Sequence, residues 1–132
     1  MKGFDAVIFD LDGVITQTAL VHSAAWSKMF NEYLQQREQK HGEKHRPFTH
    51  QDDYLPYVDG KPRYKGVASF LESRNIDIPF GEPGDSPEIE TACGLGNRKN
   101  QAFNEVLDTE GVKVYQSTVD LLHELKAAGI KI

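Results

Sequence analysis

The chain has 132 residues, of which 39% are hydrophobic and 27% are charged, so it is too rich in large apolar side chains for a disordered protein. Fifteen basic against 20 acidic residues give a net charge of −5, which argues against general nucleic-acid binding, because that needs clustered Lys and Arg. The single cysteine, Cys93, excludes an internal disulfide and fits a reducing compartment, and the sequence has no bilayer-spanning apolar run. We therefore expect a cytoplasmic protein with no membrane or nucleic-acid partner.

The first predicted element is a strand. Residues 4–9 read Phe-Asp-Ala-Val-Ile-Phe, and this short apolar run predicts a buried strand of a parallel sheet. Turn-forming residues follow at 10–13. From about Thr18 the apolar spacing becomes helical and predicts one buried stripe, formed by Trp26, Met29, Phe30, Tyr33 and Leu34.

The next segment is strongly polar. Residues 35–51 predict a solvated helix end and loop, although three histidines, at positions 41, 45 and 50, leave a metal site as an alternative. Their spacing fits no compact ligand pattern. Residues 54–63 contain two prolines and a glycine, which together predict a loop or turn.

Further helices follow. A short amphipathic helix is predicted to end near Asn75, and residues 78–86, rich in Pro and Gly, predict a surface connection. A longer helix is predicted after Asn97, with Gly111 as its stop.

The last predicted elements are a helix and a strand. Ser117 or Thr118 is predicted to cap the helix, Gly129 to close it, and residues 130–132 to begin the strand. A helix that ends in Ala-Gly-Ile-Lys-Ile is typical of the second half of a βαβ unit. The helices between residues 17 and about 110 interrupt that unit and are predicted to form a small inserted domain.

The most informative stretch is residues 7–15, where Asp10 and Asp12 follow the predicted strand and Gly13 permits a sharp turn. Ligands bind at this edge of open α/β sheets. Two adjacent carboxylates repel each other unless a cation lies between them, and Mg²⁺ prefers such oxygen ligands. One carboxylate could attack phosphorus while the other handles the leaving-group proton. An Asp-rich turn that caps the following helix is the alternative.

The pattern Asp-x-Asp-Gly-Val after an apolar strand resembles the first motif of the haloacid dehalogenase-like (HAD) superfamily. The stretch from Asp10 to Thr18, together with His22 and Trp26 after it, resembles the β-phosphoglucomutase-like subfamily, which has a helical cap. Two later segments are similar to cap motifs of that subfamily, namely Arg63 before Gly-Val and the run Arg-Lys-Asn at 98–100. The substrate-binding positions that the resemblance implies are Thr18, His22, Trp26, Arg63, Lys99 and Asn100.

The resemblance implies an α/β fold, namely a Rossmann-like HAD core with an inserted α-helical cap. Residues 1–16 would form the first core strand and catalytic loop, residues 17–110 the cap, and residues 111–132 the return to the core. The family's later motifs cannot be placed before Ile132. We therefore expect a truncated chain with an incomplete core, which is inactive alone and self-associates through exposed sheet edges.

By resemblance, Asp10 is the nucleophile and a Mg²⁺ ligand, and Asp12 is the general acid and base, also on the metal. His22 would orient Asp12 or the sugar. Arg63 and Lys99 would bind phosphate, since an acidic chain needs local positive charge for an anion. Ordinary surface charge remains the alternative for both, and a place in the core is the alternative for Trp26.

The expected function is Mg²⁺-dependent phosphoryl transfer on a sugar phosphate through an aspartyl-phosphate, as in a β-phosphoglucomutase-like phosphomutase or phosphatase. The alternative is a non-catalytic module that binds phosphate, Mg²⁺ or a partner. Turnover or its absence in the presence of a sugar phosphate would discriminate between the two.

Overall fold

The structure is a computed structural model that describes residues 3–132. Over those residues the chain is mostly helical. Its elements in chain order are α1 (Ala19–His41), a π-helix (His50–Val58), α2 (Arg63–Ser73), α3 (Ala92–Glu110) and α4 (Gln116–Ala127). None of the helices in this part of the chain is long and apolar enough to cross a membrane.

The two predicted strands pair with each other but stay very short. Ala6 and Lys131 form a single parallel bridge, in which the Val7 N–H donates to the Lys131 carbonyl at 2.8 Å and the Lys131 N–H to the Asp5 carbonyl at 3.0 Å. The predicted burial of the first strand is wrong in this structure, since Ile8 is 97% exposed. A parallel strand is buried only where other elements cover both of its faces, and no described element covers Ile8.

Helix α1 has the buried stripe that its periodicity predicts. All five stripe residues are at most 5% exposed. Phe30 is at the centre of an aromatic cluster, with ring centroids 5.4 Å from Trp26, 4.9 Å from Phe48 and 4.3 Å from Phe70. Because large aromatic side chains bury much apolar area, this cluster fixes α1 against α2 and the loop before the π-helix.

The π-helix corrects the prediction of a loop over residues 54–58, whereas residues 59–62 form the turn that the sequence predicts. The Tyr54 N–H donates to the Thr49 carbonyl at 3.1 Å and the Asp59 N–H to the Tyr54 carbonyl at 2.8 Å, which is the five-residue spacing of a π-helix. Pro56 lies inside it. The missing N–H of Pro56 removes one hydrogen bond only, whereas the buried Val58 anchors the end of the helix in the core. Tertiary packing therefore outweighs the local turn signals.

Helix α3 begins five residues before Asn97, contrary to the predicted start. Thr91 caps it, because its hydroxyl oxygen accepts the Gly94 N–H at 2.9 Å. Glycine usually weakens a helix. Gly94 is nevertheless required here, since a Cβ at this position would lie 2.1 Å from the Ile89 carbonyl oxygen. The predicted stop at Gly111 is confirmed.

The cap predicted for α4 is wrong. Tyr115 occupies the N-cap position and makes no side-chain cap hydrogen bond. The hydroxyl of Thr118 instead donates to the Val14 carbonyl at 2.8 Å, so this side chain fastens α4 to the segment that follows the two aspartates. A tertiary hydrogen bond has replaced the local one.

The buried core lies between α1, the π-helix, α2 and α3. Its members range from Trp26 to Leu95 in sequence, and they include the aromatic cluster with Val58, Val67, Leu71 and Ala92. The free Cys93 is also fully buried, as free cysteines commonly are. This core determines where α1, α2 and α3 present side chains to the site described next.

Candidate active site

A compact loop holds the two aspartates. The carbonyl of Leu11 accepts the N–H groups of Ile15 at 2.9 Å and Thr16 at 3.0 Å, so the chain turns back just after Asp10. Gly13 has φ +79°, a left-handed conformation that favours glycine. The loop thereby directs the chain from the short strand into α1.

Segment 113–118 fastens this loop from behind. The Gln17 N–H donates to the Lys113 carbonyl at 2.8 Å, and the Tyr115 N–H donates to the Ile15 carbonyl at 3.0 Å. The side-chain amide of Gln17 adds a bond to the Val114 carbonyl at 3.0 Å. Residues about 100 positions apart in sequence therefore fix the geometry of the aspartate loop.

A pocket of about 390 Å³ opens between this loop, α1, the segment after the π-helix, and α3. Its lining includes seven of the eight site residues that the sequence predicts, namely Asp10, Asp12, His22, Trp26, Arg63, Lys99 and Asn100. The eighth, Thr18, is buried behind the pocket and donates its hydroxyl proton to Asp12 Oδ1. The structure therefore brings all eight together, while their roles stay predictions.

A chain of polar contacts links the aspartate loop to α3. His22 Nε2 lies 3.3 Å from Asp12 Oδ1, and His22 Nδ1 lies 2.7 Å from Lys99 Nζ. A neutral imidazole with its proton on Nε2 satisfies both contacts, because it donates to the carboxylate and accepts from the ammonium. His22 therefore contacts Asp12, while its role in orienting Asp12 or the sugar stays a prediction.

The environment of His22 favours its neutral form. Burial and the nearby Lys99 charge lower the pKa of His22, against the opposing effect of Asp12. The ring also stacks on Phe103 at a centroid distance of 3.9 Å and an interplanar angle of 11°. The stacking and the two polar contacts together fix the orientation of the imidazole.

Lys99 is an unusual lysine, since only 4% of it is exposed. Its Nζ lies 5.0 Å from the Trp26 ring and 4.9 Å from the Phe103 ring, within the range of cation–π attraction. Burial and the positive charge of Arg63 lower the pKa of Lys99 to about 8. Surface charge is therefore the wrong interpretation for Lys99, which is a buried cation that faces the pocket.

Arg63 and Trp26 occupy different parts of the pocket wall. Arg63 is the first residue of α2 and is exposed, so its guanidinium is open to an incoming anion. Trp26 is 5% exposed and belongs to the core cluster, yet it also lines the pocket. Trp26 is therefore a core residue that also lines the pocket, and its contact with a substrate stays a prediction.

Besides Ala19 at the start of α1, sequence reasoning missed five pocket residues, namely Tyr54, Val58, Asp59, Gly60 and Lys61. They come from the π-helix and the turn after it, a segment that the sequence predicts to be only a loop. Burial and the charge of Asp59 raise the pKa of Tyr54. The sequence signal for this part of the pocket was the run Asp-Gly-Lys-Pro-Arg at residues 59–63, in which an aspartate and a glycine stand beside two cations. Only the fold shows that this run faces the aspartate loop.

The oxygen donors of the pocket are compatible with part of a magnesium site. Asp10 and Asp12 both line the pocket, and Mg²⁺ is commonly held by one or two carboxylates together with water and substrate phosphate. Residues 3–132 contain no group of three His, Cys, Asp or Glu side chains that could hold a metal ion. Asp10 and Asp12 stay the predicted metal ligands, and Asp59 adds a third carboxylate to the pocket wall.

Two of the three histidines of the polar segment have other partners. His45 Nε2 lies 3.5 Å from Glu43 Oε2, and His50 Nδ1 lies 2.6 Å from Ser23 Oγ. His41 belongs to the last turn of α1. These contacts favour the solvated helix end and loop over the alternative of a metal site.

Comparison with known proteins identifies the family. The model of the haloacid dehalogenase-like hydrolases matches residues 4–132, so the chain belongs to the haloacid dehalogenase-like hydrolase family, which has an α/β fold. A beta-phosphoglucomutase of Mycobacterium bovis is 47% identical over 127 residues, which is 96% of this chain and 48% of that protein. A beta-phosphoglucomutase of Mycobacterium tuberculosis matches to the same extent.

A second kind of relative is much longer. An uncharacterized glycosyl hydrolase of Mycobacterium tuberculosis is 42% identical over 128 residues, which is 97% of this chain and 9% of that protein. The chain spans about half the length of the beta-phosphoglucomutases that it matches.

Proposed function

We propose that the pocket transfers a phosphoryl group to or from a sugar phosphate, as a β-phosphoglucomutase-like phosphomutase or phosphatase. The observation that carries this proposal is the meeting of Asp10 and Asp12 with Arg63 and Lys99 in one pocket of about 390 Å³. Two carboxylates supply a nucleophile and a proton carrier, while two cations supply the attraction for phosphate. The similarity to beta-phosphoglucomutases supports a glucose phosphate as the substrate.

In the proposed first step, a carboxylate oxygen of Asp10 attacks the phosphorus atom. The new O–P bond forms as the bond from phosphorus to the leaving sugar oxygen breaks, and Asp12 in its acid form gives its proton to that oxygen. In the second step the Asp12 carboxylate takes a proton from water or from another sugar hydroxyl. That oxygen then attacks phosphorus, and Asp10 is released.

The neighbours of Asp12 suit a group that gives and takes a proton. Thr18 and His22 both contact its Oδ1 oxygen, which fixes the carboxyl plane. A bound Mg²⁺, held by Asp10 and Asp12, would neutralise phosphate charge and orient the reacting oxygens. Lys99 and Arg63 would hold the phosphate by charge-assisted hydrogen bonds.

We also propose that residues 17–110 form a cap on an α/β core made by residues 1–16 and 111–132. The buried core cluster lies wholly between Trp26 and Leu95, which supports a separately packed helical unit. The parallel bridge of Ala6 with Lys131 supports the return of the chain to the first strand. Exposed apolar side chains outside this cluster, such as Ile8 and Ile132, would support self-association of the isolated chain.

The decisive experiment compares the wild type with Asp10→Asn in a purified protein that contains this chain. With β-glucose 1-phosphate as the probe, we expect Asp10→Asn to lower turnover at least about 10³-fold, because removal of a nucleophile abolishes the covalent route. Phosphopeptide mass spectrometry should detect the phosphoryl group on Asp10 in the wild type and not in the variant.

Asp5→Asn is the matched control, since Asp5 is an exposed aspartate of the same segment that does not line the pocket. Equal turnover of the wild type and Asp10→Asn would contradict the nucleophile assignment. Calorimetric binding of the sugar phosphate or Mg²⁺ without any turnover would favour the alternative of a non-catalytic binding module.

A further inference from the structure

Arg63 and Lys99 lie close enough to repel each other. The positive charge of Arg63 contributes to the lowered pKa of Lys99, and both residues line the same pocket. Two cations that share a pocket move apart unless the structure holds them. Lys99 is held by burial and its contact with His22, whereas Arg63 is exposed. A restraint on Arg63 would therefore have to come from contacts between α2 and α3.

Tyr64, the residue after Arg63, supplies a connection between the two helices. The Tyr64 hydroxyl donates to Asn97 Oδ1 at 2.8 Å, and Asn97 is two residues before Lys99 on α3. The hydroxyl oxygen also lies 3.3 Å from the Pro83 carbonyl oxygen. The Arg63 guanidinium carbon lies 5.8 Å from the centroid of the Tyr64 ring, within cation–π distance.

Asn97 is fixed from its other side. Its amide nitrogen donates to the Pro83 carbonyl at 3.0 Å and to the Asp85 carbonyl at 2.9 Å. With the bond from Tyr64, both donor protons and the acceptor oxygen of this amide have partners. Because an amide so satisfied has one favoured orientation, Asn97 is a rigid attachment point for Tyr64.

Gly96 provides the space for this connection. A Cβ on Gly96 would lie 2.8 Å from Tyr64 Cδ1 and 3.2 Å from Arg63 Cγ, both shorter than an ordinary carbon–carbon contact of about 3.5–4.0 Å. The Tyr64 ring therefore lies directly against the α3 backbone. Any side chain at position 96 would displace the ring and the stem of Arg63 together.

We propose that Tyr64, seated on Gly96 and hydrogen-bonded to Asn97, is a positioning residue that sets the separation of Arg63 and Lys99 and so preorganises the phosphate site. The inference rests on the proposed function, in which these two cations bind phosphate. The Tyr64 connection joins the first turn of α2 to α3, and it holds two like charges together before the anion arrives. A preorganised pair binds phosphate more tightly than two mobile cations, since less ordering occurs on binding.

The test measures inorganic phosphate binding by calorimetry in Tyr64→Phe, Tyr64→Leu and Gly96→Ala. We expect Tyr64→Phe to weaken binding about fivefold, as one hydrogen bond is lost, and the other two variants to weaken it further. Tyr115→Phe and Gly84→Ala are the controls, because Tyr115 is exposed outside the pocket and a Cβ on Gly84 meets no atom within 4 Å. Wild-type affinity in Tyr64→Phe and Tyr64→Leu would overturn the proposal.

A second readout needs no ligand and separates this inference from the proposed function. The pKa of Lys99, followed by NMR of its side-chain carbon, should rise in Arg63→Gln and rise similarly in Tyr64→Leu, because Arg63 then moves away. An unchanged pKa in Tyr64→Leu would overturn the positioning role even if phosphate binds. Absence of phosphate binding by the wild type, with the expected rise in the pKa of Lys99, would contradict the proposed function alone.

Discussion

Lys99 Nζ lies 2.7 Å from His22 Nδ1, although the two residues are 77 positions apart in sequence. The contact joins α3 to α1, and through His22 it reaches Asp12 on the aspartate loop. The imidazole of His22 thus links the buried ammonium of Lys99 to Asp12, the candidate proton carrier of the pocket.

The charge of Lys99 makes phosphate binding dependent on pH. Because the pKa of Lys99 is lowered to about 8, its ammonium is present below that pH and is lost as the pH rises through it. An ordinary lysine keeps its charge until about pH 10.4. We therefore expect the phosphate affinity to fall between about pH 7 and pH 9, as measured by calorimetry.

Lys99→Arg is the matched variant for this prediction. A guanidinium stays charged throughout this pH range, so its binding should be nearly independent of pH even if it is weaker overall. An identical pH profile in the wild type and in Lys99→Arg would show that another group is responsible for the pH dependence.

The Gly13→Ala substitution tests the aspartate loop. A side chain at φ +79° is strained, and its Cβ would also lie 3.2 Å from Ala19 Cβ at the start of α1. We expect a loss of about 1–2 kcal/mol in the free energy of unfolding, and a larger loss of turnover because Asp12 precedes this turn. Urea unfolding and turnover assays measure the two effects.

Gly42→Ala is the control for this loop. Gly42 has φ +70°, but a Cβ there would meet no atom within 4 Å, so this variant carries the backbone strain alone. If both variants lose the same stability and neither loses turnover, the contact with Ala19 has no effect on the site.

Asp53 is a fully buried carboxylate on which acid stability depends. Burial opposes the ionisation of Asp53. The carboxylate accepts hydrogen bonds from Arg46 at 2.8 Å and 2.9 Å, from the Thr49 N–H at 2.9 Å and from Arg74 at 3.2 Å. These bonds outweigh burial and hold the pKa of Asp53 below its usual range. The stabilisation is therefore fully present above about pH 4 and is lost as the pH falls through the lowered pKa.

We expect Asp53→Asn to lower the free energy of unfolding by about 3 kcal/mol at pH 7. This is at the lower end of the range for a broken buried ion pair, because Arg46 is half exposed. The deficit should shrink as the pH falls below about 4, since the wild type then loses the same charge. The exposed neighbour Asp52→Asn is the control, and an equal effect of the two variants on thermal unfolding would refute the role of Asp53.

The aromatic core can be tested with Phe30→Ala. Phe30 is 0% exposed and contacts three other aromatic rings, so its truncation should lower the free energy of unfolding by about 3–5 kcal/mol. Leu20→Ala on the same helix, at a residue that is 78% exposed, should change it by less than about 0.5 kcal/mol. Similar losses measured in urea would contradict the placement of the core.

The sequence predicted those features that depend on residues close together along the chain. The stripe from Trp26 to Leu34 predicted the buried face of α1, and Gly111 predicted the end of α3. These predictions are confirmed because helical periodicity and a glycine stop act within a few residues. The start of α3 and the π-helix were not predicted, because Gly94 and Pro56 are residues that usually destabilise helices. In the structure Gly94 fits the close approach of the Ile89 carbonyl, and the buried Val58 anchors the π-helix in the core.

The sequence by itself determined the family of this protein. Asp10 and Asp12 followed by Gly13 make one contiguous motif, and its resemblance to the haloacid dehalogenase-like family agrees with the family model that matches residues 4–132. Only the tertiary structure decided what surrounds that motif. Tyr54 and Asp59 in the pocket wall, the lowered pKa of Lys99 and the connection between Tyr64 and Asn97 all depend on distances between segments far apart in sequence. Burial and charge interactions are set by those distances, which packing of the aromatic core fixes and no local pattern encodes.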